Sequence, residues 1–368
     1  MERSVRSTIK TEAVKLAKAK KTFSNLSEEE KDSVFLYLSS IVDLSNNSTA
    51  PGTQRSFFPG SAWQKLKNLV YESRTMPPLP ENVEEDLKEI EQMAVSNLKQ
   101  SYQLCLRLQA KHAFTPEEHY FEIYAHVSKN ATEQDFVNEA WTPIMAAVFN
   151  DEDLALKWGD SVPPISASAK KRSLPEENVL GDRVDLRVMT SVGGDVYDVM
   201  AGEFANSKLG PSKFILDHLK VLRESKIILD HIVNQEFTTA HDARRLIVPC
   251  FQANGLDGEV KIMKPHAPGL YTIQHIGSVD IPSSINFLHD LRKKTILRLK
   301  FMKYHALKNA HILSKFPEKE ARLKKKKSTA YRRSPSCDDA ETSTKWTRST
   351  WFPSPRAGVP IVIPADFF

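Results

Sequence analysis

The stretch VDLRVMTSVGGDVYDVMAGEFA, Val184 to Ala205, decides how this chain is read. Two runs rich in alternating apolar residues flank the pair Gly193-Gly194, which is the pattern of two strands joined by a short turn. In the first run Val184, Leu186 and Val188 share one face, and Asp185, Arg187 and Met189 share the other. In the second, Tyr197, Val199, Ala201, Glu203 and Ala205 fall on a single face. Glu203 stands out there, because a carboxylate among Val and Ala is costly to desolvate unless a cation, a donor or water meets it. Either the sheet is open to solvent at that point or something positive binds. Register decides whether the two acids meet. A five-residue loop, Val192 to Val196, pairs Ser191 with Tyr197 and sets Asp185 opposite Glu203. An even-numbered loop without a bulge would put them on opposite faces. The first arrangement brings two carboxylates within reach of one metal ion.

Working outward, the 368 residues provide for one large domain or two ordinary ones, with ample material for a core. The net charge of +5 is modest but uneven. Lys and Arg gather after Asp290, above all in LKKKKSTAYRR at 323–333. Such local basicity suits a polyanionic partner or nuclear import, and a solvated, disordered tail accounts for it equally well. The three cysteines, Cys105, Cys250 and Cys337, are far apart and odd in number, so a reducing intracellular compartment is the simplest expectation. There is no N-terminal hydrophobic signal region and no run of about 18 apolar residues, so neither secretion nor a membrane span is expected.

Before the hairpin the pattern is helical. LSEEEKDSVFLYLSSIV carries a Ser27 cap with acids in its first turn. SAWQKLKNLVYES continues as a short helix, stopped by the prolines of TMPPLPEN. A longer helical stripe runs from Glu85 to about Ala110. Thr115 and Pro116 open another helix, on which His119, Glu122 and His126 lie roughly along one face. Their spacing matches no metal motif, and ordinary histidines are the preferred reading. ATEQDFVNEAWTPIMAAVFN is an amphipathic helix opened by Thr132, with Glu133 and Glu139 as acids able to reach the sheet. Residues 157–178 read as a flexible, polar connection.

After the hairpin, Gly210-Pro211 introduces a long helix whose buried stripe is Ile215, Leu219, Leu222, Leu229 and Val233. Lys213, Asp217, Lys220 and Glu224 form a second, charged stripe. A line of surface ion pairs explains it, and so does a lysine turned toward the acids. RLIVPCFQANG, EVKIM and PGLYTIQHIGSVDIP then read as strands, and a helix follows to about Ser314. Beyond Lys315 periodicity is lost. The order implies an α/β sandwich with a mixed sheet. The expected organisation is a helical N-terminal region (1–113), an α/β core (114–314) and a basic, disordered tail (315–368).

VDLRV, YDVMAGEFA and the helix carrying FILDHLKVLRESK resemble the PD-(D/E)xK nuclease-like superfamily, and most closely a group of fungal proteins of unassigned activity with that kind of core. The resemblance covers about Ala131 to Leu313. It implies a mixed-sheet, restriction-endonuclease-like core beside an all-helical N-terminal region. Asp185 and Glu203 would then be the acids that hold Mg²⁺, with Glu133 as an additional ligand, for phosphodiester hydrolysis of DNA or RNA. The motif's lysine belongs two residues after the glutamate, where this chain has Ala205. In the superfamily that lysine can move to a neighbouring helix, which makes Lys220 the candidate, with Lys213 and Lys208 behind it. Three readings stand at this point: a Mg²⁺-dependent nuclease, an inactive nuclease-like domain that binds nucleic acid or a protein, and a helical interaction protein. No Gly-rich phosphate loop and no Gly-x-Ser-x-Gly elbow is present.

Overall fold

A computed structural model of the chain describes residues 5–20, 22–50, 53–70, 76, 78–96, 100, 104, 131–174, 180–206, 210–235, 238–282, 287–317, 346–354 and 358–363. Its centre is one seven-stranded mixed sheet in the order β1-β7-β6-β5-β4-β3-β2. The strands are β1 (Ile41–Asp43), β2 (Ala155–Ser161), β3 (Val184–Val192), β4 (Asp195–Ala205), β5 (Val248–Asn254), β6 (Asp257–Ala267) and β7 (Leu270–Asp280). Neighbours pair antiparallel except β4 with β5 and β1 with β7.

The central position of β4 explains its composition. Its last eight residues are all buried, since helices cover both faces of the sheet. The long helix Pro211–Val233 supplies the crossover between parallel β4 and β5 and packs on one face. Gly210 is its N-cap and Pro211 stands in the first turn, where the missing N–H costs nothing. On the other face lie the helix Leu297–Ser314 and the helical run over 133–148. Trp141 from that run packs against Phe204 and Phe251 at ring separations of 6.1 and 5.1 Å and donates its Nε1–H to the Gly255 carbonyl at 2.7 Å. Between Phe136 and Trp141 the helix widens into a π-turn. Pro143, two residues further on, cannot donate a backbone bond into that turn.

Several expectations need correction. The N-terminal region is not all helical: Ile41–Asp43 forms β1 and pairs in parallel with β7, Ile41 opposite Tyr271. The connection at 157–178 contains strand β2 and the helix Pro164–Ser173. β2 is an edge strand with one flank unpaired, so its polar residues need no buried partner. Part of the tail expected to be disordered packs on the fold. Trp346, Trp351 and Phe352 are buried, and a single hydrophobic cluster joins Ile9, Val34 and Trp63 to the sheet and to Trp346 and Trp351. Among the described residues that cluster extends across both 113 and 314. Among the described residues no helix is long and apolar enough to cross a membrane.

Candidate metal-dependent site

Asp185 and Glu203 come together by a route the sequence conceals. The hairpin turn has two residues, not five. Val192 pairs with Asp195, and Gly193 and Gly194 take φ values of 63° and 92°, the left-handed region in which glycine is unstrained. Ser191 accordingly pairs with Val196 rather than Tyr197. A two-residue turn alone would have turned Glu203 to the face opposite Asp185. The register then slips: Met189 pairs with Asp198, but Val188 pairs with Met200, so Val199 is an extra residue in β4. Beyond this bulge Arg187 lies opposite Ala201 and Leu186 opposite Gly202, and the next step sets Asp185 opposite Glu203. Turn and bulge together restore the face.

That face looks at the long helix. Glu203 is 1% exposed and forms the floor of the site. Lys220 Nζ pairs with Glu203 Oε2, while Glu203 Oε1 is buried without a hydrogen-bond partner. Asp185 Oδ2 accepts the backbone N–H of Phe204 at 2.9 Å, which fixes the carboxylate against the strand beside it. At the rim Lys213 Nζ holds Glu133 Oε2 at 2.8 Å. Asp217 lies between the two lysines on the helix; it is 8% exposed and its Oδ2 has no partner. The charged stripe of the helix therefore faces inward. A bidentate pair from Arg187 to Asp198, at 2.7 and 2.9 Å, closes the same face further along the strands.

Four carboxylates thus influence one another against two ammonium groups. Burial, followed by the neighbouring Asp185 charge, pushes Glu203 up to about 9 even though Lys220 opposes the shift. Asp185 and Asp217 are also raised, in both cases chiefly by burial. Burial opposes the charge on Lys220, and Glu203, Asp185 and Asp217 more than restore it, leaving its pKa above the usual value. The cation-free pair of Asp185 and Glu203 behaves as two carboxyls that cannot both ionise cheaply and retain a proton near neutral pH.

The structure brings Asp185, Glu203 and Lys220 together and sets Glu133 at the rim. Glu133 is held by Lys213 and does not complete a three-acid group: among the described residues no three His, Cys, Asp or Glu side chains are arranged to hold a metal ion. Lys208 and the His119, Glu122 and His126 set lie outside the described residues, as do Cys105, Cys337 and the basic run 323–333. Burial pushes the Cys250 thiol up to about 12, which leaves it inert as a nucleophile. Sequence reasoning missed the inward position of Asp217, whose only signal was its place between two lysines at helical spacing. Compared with known proteins, the chain matches no family model, no curated protein and no solved structure.

Proposed function

We propose that this protein is a divalent-cation-dependent nuclease working through Asp185, Glu203 and Lys220, on a core of the PD-(D/E)xK nuclease-like kind. One observation carries the reading. Two carboxylates sit opposite each other across a hairpin, the inner one with a buried, unpartnered oxygen and a lysine on its other oxygen. Buried polar atoms are rarely left unsatisfied, so an orphan Oε1 beside a second carboxylate is a place for a proton or a cation. All-oxygen donors suit Mg²⁺, which takes one or two carboxylates and keeps several waters, so two acids suffice. Asp185 and Glu203 are the residues that would hold it. Bound there, Mg²⁺ supplies Lewis acidity and a water of lowered pKa.

The chain's own residues do the rest. The Phe204 N–H keeps Asp185 oriented toward Glu203. Enclosure of Glu203 lowers the local dielectric and strengthens every charge interaction around it. Lys220 replaces the cation absent at Ala205 and places an ammonium where charge develops on a scissile phosphate. Asp217 sits close enough to Lys213 and Lys220 to influence both ammonium groups. The feature favouring a domain that binds without cutting is that Lys220 is already engaged by Glu203 and, among the described residues, no third acid is arranged with the pair to hold a metal ion.

The test is cleavage by the full chain of single- and double-stranded DNA and RNA with Mg²⁺ or Mn²⁺. The nuclease reading expects cation-dependent products, reduced about 100-fold or more in Asp185→Asn and Glu203→Gln. Salt-sensitive polynucleotide binding without cleavage, equal in both variants, would replace it with the non-cutting domain. Neither cleavage nor binding would remove both.

A further inference from the structure

A second cavity, of about 450 Å³, lies on the other flank of the long helix. Phe214, Ile215 and His218 line it, at positions about 60° or more around the helix from Lys213, Asp217 and Lys220. Across the sheet the two sites are held apart by Gln252. Glu203 pairs with Gln252 and Gln252 with Glu259, so Glu259 stands two strands, or about 10 Å, from Glu203. The volume falls within the range of small-molecule sites.

Five of the lining residues are acids, and four have visible reasons to be there. Glu28 pairs with Lys31 at 2.7 Å, and Glu29 accepts the Ser27 hydroxyl at 3.1 Å in a helix first turn. Asp43 accepts the Ser45 N–H at 2.8 Å, and Glu259 pairs with Lys261 at 3.0 Å. Asp32 is the exception. Its Oδ1 is buried without a hydrogen-bond partner, and among the described residues no cation forms an ion pair with it. Burial and the neighbouring Asp43 push its pKa to about 7, with Lys261 only partly offsetting them. His218 offers no relief, because burial and Lys261 hold it down at about 4 and neutral. A second orphan acceptor, Glu28 Oε2, belongs to the same lining. The cavity wall therefore carries five carboxylates against one ammonium, Lys261, which Glu259 already engages.

We propose that this cavity binds a small organic cation, a primary ammonium or guanidinium group, with Asp32 as the carboxylate that receives it. An N–H-bearing cation on a methylene stem can use both the Asp32 carboxylate and the apolar part of the wall, which a bare metal ion would leave unmatched. Phe214 and Ile215 provide the apolar wall against which a methylene stem packs. The group could belong to a free polyamine or to a basic side chain of a peptide, and the probes separate the two.

Calorimetric titration of the full chain at about pH 8, where Asp32 is ionised, uses spermidine and agmatine in one arm. The other arm uses the amide-capped amino acids N-acetyl-lysine methylamide and N-acetyl-arginine methylamide, with butanamide as the uncharged control. Saturable binding is expected in one or both arms and none with butanamide. Asp32→Asn weakens it about 10-fold or more, whereas Glu203→Gln leaves it unchanged. Because Asp32→Asn removes an unpaired buried charge, the variant's melting temperature in the absence of ligand stays at or above that of the parent, which separates lost binding from misfolding. No saturable binding of any probe at millimolar concentration, or equal affinity in Asp32→Asn, overturns the proposal. Loss of binding in Glu203→Gln instead would assign the cation to the other site and overturn it as well.

Discussion

At the scale of single residues, Glu203 ties stability to pH. Its carboxyl is raised from 4.5 to about 9 in the folded chain, and Asp32 and Glu224, at about 7 and about 8, shift the same way, chiefly through burial. The native state therefore keeps protons that the unfolded chain releases. Each of these three groups contributes stability that is lost as pH rises from about 4.5 toward its folded value, while His218 and His231, both held down, oppose the trend below about 6.5. Above the histidine range the carboxyls decide, so urea midpoints at pH 7, 8 and 9 should fall in that order, and Glu203→Gln should flatten the decline. Lys220→Met leaves Glu203 without its cation and should cost roughly 1–3 kcal/mol, less than for a fully buried pair because Lys220 is partly exposed. Adding Glu203→Gln to Lys220→Met should recover most of the loss in the same denaturation measurement. Glu203 was legible in the sequence because it interrupts an apolar face. Asp32 was not, because an acid near the start of a helix is ordinary and only packing shows that this one is enclosed and unpaired.

At the scale of elements, the hairpin shows how far pattern alone reaches. Alternation located both strands, and Gly193-Gly194 marked the turn. The bulge at Val199 left no trace, since Val199 is as apolar as the Met200 and Ala201 that follow it and one extra residue breaks no pattern within a half-strand. The facing acids were thus anticipated through the wrong loop. Gly194 has no heavy atom near a would-be Cβ, so Gly194→Ala is resisted by its φ of 92° alone. That change should cost about 1 kcal/mol, read as a lowered denaturant midpoint with an unchanged slope. The strands β1 and β2 escaped notice for different reasons. Three residues are too few for a period, and an edge strand with polar side chains looks like a loop.

At the scale of the whole molecule, the C-terminal segment closes the fold. Lys226 is fully buried and donates to Asp230 at 2.7 Å, to the Arg348 carbonyl at 2.5 Å and to Thr350 at 3.1 Å. Trp351 packs on Phe23 at 5.3 Å and donates to the Val362 carbonyl at 2.9 Å, which fastens the tail to the N-terminal region. Two tryptophans and a phenylalanine within seven residues were the available signal, for disordered segments are poor in aromatics. The prolines around them and the missing periodicity obscured it. Trp351→Ala should destabilise by about 3–5 kcal/mol, and ending the chain at residue 345 should cost more, because buried Lys226 then also loses the Arg348 carbonyl and the Thr350 hydroxyl. Thermal melts of the two variants against the full chain check both. The molecule as a whole thus holds β4 rigidly between two helical layers, so that a pair of acids persists where water is scarce. Titration of the full chain with Mn²⁺ at about pH 7.5, in two buffers of different ionisation enthalpy, probes that pair most directly. One saturable site that releases about one proton, with both signals lost in Glu203→Gln, is the result predicted for a cation that takes the proton's place between Asp185 and Glu203. The absence of saturable heat, or binding that persists unchanged in Glu203→Gln, would contradict it.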